Sequence, residues 1–152
     1  RDRELKKYYL CRVHGTLPRP AGRLEGYILK DEAKKQVTVS SRPRPGAKTA
    51  VTLYETLAVR NGLSLVRCQL ITGRTHQIRA QFAAAGHPLL GDGKYGSERQ
   101  NKRYGRSYQA LYSYRLEFCF TTDAGALAPL DGQQFQVEQV DFVTEYFPGF
   151  SL

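Results

Sequence analysis

Apolar residues recur along this chain with two different periods, and the change between them divides strands from a helix. Positions 8–13 (YYLCRV) are rich in β-formers and stop at His14-Gly15, after which Pro18 and Pro20 break any continuation, so a strand and then a loop are expected. Positions 36–40 are strand-like and are followed by a Pro/Gly/basic loop at 41–49 (SRPRPGAKT). Between 50 and 59, Val51 and Leu53 alternate with polar residues. Asn61-Gly62 is a tight-turn signal, and 64–71 carries Leu65, Cys68 and Leu70, which together make the clearest hairpin in the chain. The period then changes. Positions 75–85 (THQIRAQFAAA) contain good helix formers, set Ile78 and Phe82 at i and i+4, and end at Gly86. With three glycines and a proline, 87–96 (HPLLGDGKYG) must turn, and 97–107 (SERQNKRYGRS) continues it as an exposed basic stretch. Aromatic residues mark a strand at 108–120, and a last strand is expected at 135–143, beyond the turn region DAGALAPLDG. No repeat or linker divides residues 1–152, which predicts one α+β domain on a mostly antiparallel mixed sheet with few helices.

Charge adds a partner to this picture. Lys and Arg number 23 against 14 Asp and Glu, a net charge of +9, which points to a polyanion. Ten tyrosines offer rings that stack on bases while the phenol keeps a hydrogen bond. Lys94, Arg99, Lys102, Arg103 and Arg106 are interleaved with Tyr95, Tyr104 and Tyr108, and Arg42, Arg44 and Lys48 form a second basic cluster on the Pro-rich loop. Both clusters are expected to position RNA phosphates and not to read sequence; the plain alternative is a solvated charged loop. Cys11, Cys68 and Cys119 are widely spaced without a CxxC pair, so buried free thiols are expected and neither a disulfide framework nor a zinc ribbon. His76 and His87 lack a carboxylate or thiol at ligand spacing, which argues against a metal. No apolar run reaches the length of a membrane span, and a cytoplasmic location is expected.

The segment from Leu70 to Gly96, LITGRTHQIRAQFAAAGHPLLGDGKYG, is the most informative. Gly73 lets the backbone turn after a strand, and Arg74, His76, Gln77 and Arg79 cluster at a helix start, where free amides and the dipole favour an anion. His76 and Arg79, three apart, share a face, while Ile78 and Phe82 point elsewhere. On spacing alone, a solvated basic helix end above a core stripe explains the pattern equally well.

TGRTHQIR followed by GHPLLGD and YG closely resembles the motif of the RluA-type pseudouridine synthases. KKYYLCRVHG (6–15) resembles that family's first strand after its catalytic motif, with Tyr9 six residues before Gly15 where the family has its active-site tyrosine. The resemblance implies isomerisation of uridine in RNA without a cofactor. It implies that Arg79 pairs with a catalytic aspartate, holding it ionised and aimed. It implies that Tyr9 stacks on the flipped base and moves a proton at C5, and that Ile78 lines the base pocket with Arg74, His76 and Gln77 beside it. The family's aspartate lies in a motif resembling HRLDxxTSG, upstream of this stretch. None of Asp2, Asp31, Asp92, Asp123, Asp131 and Asp141 matches it. Asp92, in GHPLLGD, is expected to make a turn by bonding nearby backbone amides. The chain is therefore expected to be the C-terminal part of a catalytic domain, inactive alone, completed by a preceding segment of the same protein. An edge left uncovered by that segment predicts a homodimer or a swapped dimer. Ribosomal RNA is the substrate suggested by analogy with the family. The rival functions are a non-catalytic RNA-binding module and, more weakly, a hydrolase using His76, for which no Ser or Cys nucleophile is in place.

Overall fold

Strand-period alternation is realised as one antiparallel sheet, with the helix-period segment laid across a face of it. The computed structural model describes residues 3–96, 98–103, 110–120 and 134–136. Its elements are β1 (Arg3–His14), β2 (Ala21–Asp31), β3 (Gln36–Ser40), β4 (Lys48–Arg60), β5 (Leu63–Leu70), α1 (Gln77–Ala84), α2 (Glu98–Arg103), β6 (Leu111–Phe120) and β7 (Gln134–Gln136). The strands lie in the order β3-β2-β4-β5-β1-β6-β7, each neighbouring pair antiparallel. This is the expected α+β class. Asn61 (φ 53) and Gly62 (φ 74) both take left-handed backbone, the type I′ geometry that a two-residue hairpin needs, and Arg60 pairs with Leu63 across it.

The structure adds two elements that periodicity did not predict. β2 contains Gly22 and Gly26 among charged residues, a composition that mimics a loop. Those glycines instead permit close approach: a Cβ on Gly22 would lie 2.7 Å from the Tyr54 hydroxyl, and one on Gly26 would lie 3.0 Å from the Ser40 carbonyl. α2 falls in the stretch expected to be irregular. The first helix is also shorter than 75–85, because His76 adopts φ 53, a left-handed conformation that cannot continue a helix backwards. Of the strand expected at 135–143, only Gln134–Gln136 is described, and the beginning of the one expected at 108–120 likewise lies outside the described residues.

Alternation along β1 and β5 builds a core on both sides of the sheet. Cys11, Val13, Tyr54, Val66 and Cys68 meet Ile78, Phe82 and Leu89 on the α1 side. Leu10, Leu63 and Leu65 meet Leu90 and Ala110 on the other. Leu89 and Leu90 serve opposite faces because the segment after α1 runs beside β1 as a short strand. His14 N–H donates to Pro88 O (3.0 Å), and Leu90 N–H donates to Arg12 O (2.8 Å). The GHPLLGD segment is therefore bridged to the end of β1, through Leu89 and Val13, as well as forming a turn, and this carries Asp92 and Tyr95 back over α1. Cys11 and Cys68 are buried free thiols 3.8 Å apart. Among the described residues no helix is long and apolar enough to cross a membrane.

Phe82 has no exposed surface and meets the Tyr54 ring edge-on, with centroids 6.0 Å apart. Phe82→Ala is expected to cost roughly 3–5 kcal/mol in the denaturant-unfolding free energy. A loss under 1 kcal/mol would contradict this packing.

Candidate active site

Glutamine, not a hydrophobic residue, seats α1 on the sheet. Gln77 Nε2 donates to Val51 O (3.0 Å) and Thr52 Oγ1 (2.8 Å), while its Oε1 accepts from Thr72 Oγ1 (2.7 Å) and Arg74 N–H (3.0 Å). One turn on, Gln81 Oε1 accepts from Thr52 Oγ1 (2.6 Å), and its Nε2 donates to Ala50 O (3.1 Å) and Leu24 O (3.3 Å). Expected beside the base, Gln77 is instead buried with all four of its hydrogen-bonding valences occupied inside the protein. Its place is corrected from ligand contact to support of the helix start. Arg74, half-buried, donates from Nε to Thr49 O (2.7 Å), which ties the turn before α1 to the beginning of β4.

With that start fixed, His76, left-handed just before the helix, and Arg79 within it both meet Tyr95. The Tyr95 hydroxyl accepts from Val37 N–H (2.8 Å), so its own hydrogen is available to His76 Nδ1, also 2.8 Å away. The His76 pKa is lowered from the usual value by burial and then by the positive charges of Arg79 and Lys94. The Arg79 guanidinium carbon lies 5.1 Å from the centre of the Tyr95 ring.

Arg79 makes a two-point ion pair with Asp92, Nε to Oδ2 at 2.8 Å and Nη2 to Oδ1 at 3.0 Å. The Asp92 side chain has 0% exposed surface and that of Arg79 only 13%. Asp92 Oδ1 also accepts from the backbone amides of Lys94 and Tyr95, both at 3.0 Å, which is the turn expected of it. Burial alone would raise the Asp92 pKa. The bonds from Arg79 and from the Tyr95 and Lys94 amides outweigh it and hold the carboxyl below its ordinary value. The Asp92 bonds in turn raise Arg79. Sequence spacing predicted the turn but not that the same carboxylate grips Arg79 from thirteen residues away.

Ile78, next to Arg79, is buried in the cluster against which Tyr9 packs from β1. The fold thus sets Tyr9 and Ile78 at one apolar cluster, with Arg79 next to Ile78 on the helix. The basic residues are largely on the surface. Arg99, Lys102 and Arg103 are exposed on α2, and Arg42 and Arg44 on the loop before β4; Arg106 lies outside the described residues. Exposed Lys94 donates to Lys35 O (2.7 Å). A pocket of about 220 Å³ before α1 is lined by Lys30, Lys48 and Arg74. α2 is moored by buried Asn101, which accepts from Gly91 N–H (2.7 Å), bonds His14 Nε2 (3.0 Å) and donates to Asp92 O (3.1 Å). Nothing in the basic run around Asn101 marked it, and Lys30 was hidden in the unforeseen β2. His87 Nδ1 donates to His14 O (2.9 Å), which engages that ring in the backbone.

Comparison with known proteins follows this geometry. The sequence pattern of the RNA pseudouridylate synthase family matches residues 1–84. Human Pseudouridylate synthase RPUSD2 is 40% identical over 97 residues, covering 64% of this chain and 17% of that protein. Ribosomal large subunit pseudouridine synthase D of Zymomonas mobilis is 31% identical over 145 residues, covering 95% of this chain and 42% of that protein. The chain therefore spans less than half the length of these relatives. Among solved structures, Human RNA Pseudouridylate Synthase Domain Containing 4 matches 91% of this chain and 59% of its own, with a TM-score of 0.66 at 22% identity. Human RNA Pseudouridylate Synthase Domain Containing 1 matches 93% and 64%, with a TM-score of 0.64 at 21% identity. Both share the fold.

Two stability outcomes follow from the buried pair. Arg79→Ala strands the Asp92 charge and is expected to cost roughly 3–5 kcal/mol at neutral pH, read by denaturant unfolding. Because the folded pKa of Asp92 is depressed, its contribution is complete above the unfolded carboxylate value of about 3.9 and is lost as pH falls from there through the folded value. Melting temperature should fall less steeply below about pH 4 in Asp92→Asn than in the wild type. Parallel acid limbs would contradict the pairing.

Proposed function

Because the chain belongs to the RNA pseudouridylate synthase family, and to its RluA type, we propose that it supplies Arg79, Tyr9 and Ile78 to a site that isomerises uridine to pseudouridine in RNA. The observation that carries this is a guanidinium that is nearly buried, charged and fixed in direction, on the helix whose Ile78 is buried in the same apolar cluster against which Tyr9 packs. In the reaction the C1′–N1 bond breaks, the base turns, a C1′–C5 bond forms, and the C5 hydrogen leaves while N1 gains a proton. The uridine must leave its stack for this. Ile78 and the Tyr9 ring wall the flipped base, Tyr9 moves the C5 proton, and Arg79 holds the aspartate that acts at the sugar.

That aspartate comes from polypeptide outside residues 1–152, in an HRLD-like motif. Asp92 does not replace it: its side chain has no exposed surface and its oxygens are engaged by four donors. Residues 1–152 alone therefore bind RNA without isomerising it. Phosphates are taken by Arg42, Arg44, Arg74, Lys94, Arg99, Lys102, Arg103 and Arg106, at a cytoplasmic location. The likeness to the Zymomonas ribosomal large subunit pseudouridine synthase favours ribosomal RNA. A second copy, paired or swapped, covers the sheet edge when the chain is by itself.

The test uses RNA tritiated at uridine C5. Tritium release is expected from a longer protein that includes the HRLD-like segment, and none from residues 1–152, which still retard the RNA on a gel. Release by 1–152 alone would overturn the assignment of the aspartate to other polypeptide. No release from the longer protein would leave an RNA-binding module without chemistry.

A further inference from the structure

We infer that Asp92 is a positioning residue for the isomerisation, holding Arg79 side-on so that the adjoining end-on edge of the guanidinium faces the aspartate that acts on the ribose. This rests on the role proposed above for Arg79. A guanidinium presents five N–H donors in one plane. The Asp92 pair uses the Nε hydrogen and one on Nη2. Among the described residues no acceptor meets Nη1 or the second Nη2 hydrogen, so the whole end-on edge is available to a second carboxylate lying in the same plane.

What makes this a fixed aim is that neither neighbour of the guanidinium can swing away. Asp92 is tied by two backbone amides of its own turn, and its main-chain oxygen is held by Asn101. The Tyr95 ring stands against the guanidinium, with its hydroxyl bonded to Val37 N–H and His76. Arg79 is thus held by Asp92 along one edge and flanked by an aromatic ring, with one edge left to bind. A long, flexible side chain becomes a preorganised fork before substrate arrives. Asp92 acts only through Arg79 and touches no reacting atom.

A turn-forming role and a positioning role separate on one substitution. Asp92→Asn keeps an Oδ1 that accepts the Lys94 and Tyr95 amides, so the turn survives. Its Nδ2 faces Arg79 Nε, donor against donor, and the grip is lost. In the longer protein that carries the HRLD-like segment, Asp92→Asn is expected to lower kcat for tritium release about 10- to 100-fold, with KM for the RNA changed less than about twofold, since misaiming of about 1 Å costs on the order of 100-fold. In an Arg79→Lys background, which has no side-on fork, Asp92→Asn should add nothing further. Circular dichroism at the assay temperature establishes folding. If Asp92→Asn does not fold, Asp92→Glu replaces it: the charge is kept but displaced by one methylene, and kcat should again fall at constant KM. A folded variant with wild-type kcat, or equal losses from Asp92→Asn in both backgrounds, would overturn the inference. An inactive wild-type protein would instead remove the function on which it rests.

Discussion

A carboxylate with no exposed surface is tolerated only when donors replace the water it has lost, and Asp92 meets that condition with two guanidinium hydrogens and two backbone amides. Much of the local architecture serves this one group. The chain leaves α1, lies beside the end of β1, and comes back over the helix, which brings Asp92 to Arg79 and Tyr95 to the edge of β3. Asn101 ties α2 to the same turn through the Gly91 amide and the Asp92 carbonyl. The interaction links the sheet edge, the helix and the basic surface, and it also gives the arginine a direction.

The other support is the amide network beneath α1. A short helix seated only on alanines and two large side chains could slide along the sheet. Gln77 and Gln81 bond to Thr52 and to the carbonyls of Leu24, Ala50 and Val51, contacts that are satisfied in one register only. Apolar burial of Ile78 and Phe82 supplies attraction and the glutamines supply position. Arg79, on the side away from the sheet, inherits that register.

Legibility in the sequence followed from how local each signal is. The Asn61-Gly62 hairpin, the apolar alternation of β1 and β5, and the Ile78/Phe82 spacing are short-range patterns, and they survive in the structure. β2 escaped because Gly22 and Gly26 imitate a loop while serving close packing between strands, which is visible only once Tyr54 and Ser40 are in place. The helix boundary moved to Gln77 because a left-handed residue at His76 is not a glycine and so carries no warning. At the site, the Asp92 turn was read from Gly-Asp, while the helix face expected for His76 and Arg79 begins only after His76. The Arg79–Asp92 pair, the interior use of Gln77 and the mooring by Asn101 depend on contacts between separate segments, for which neither period nor composition leaves a trace. The family motif compensates in part, since it marks the whole of 72–96 as one unit without saying which side chains meet.

Arg79 is held side-on by Asp92 and keeps its other edge available. Proton–nitrogen NMR of the arginine side chains tests it most directly. The Arg79 Nε–H is expected to exchange with water far more slowly than those of the exposed arginines and to lose that protection in Asp92→Asn, while its Nη1 hydrogens exchange freely. An Arg79 Nε–H that exchanges as fast as those on the surface, unchanged by the substitution, would contradict it.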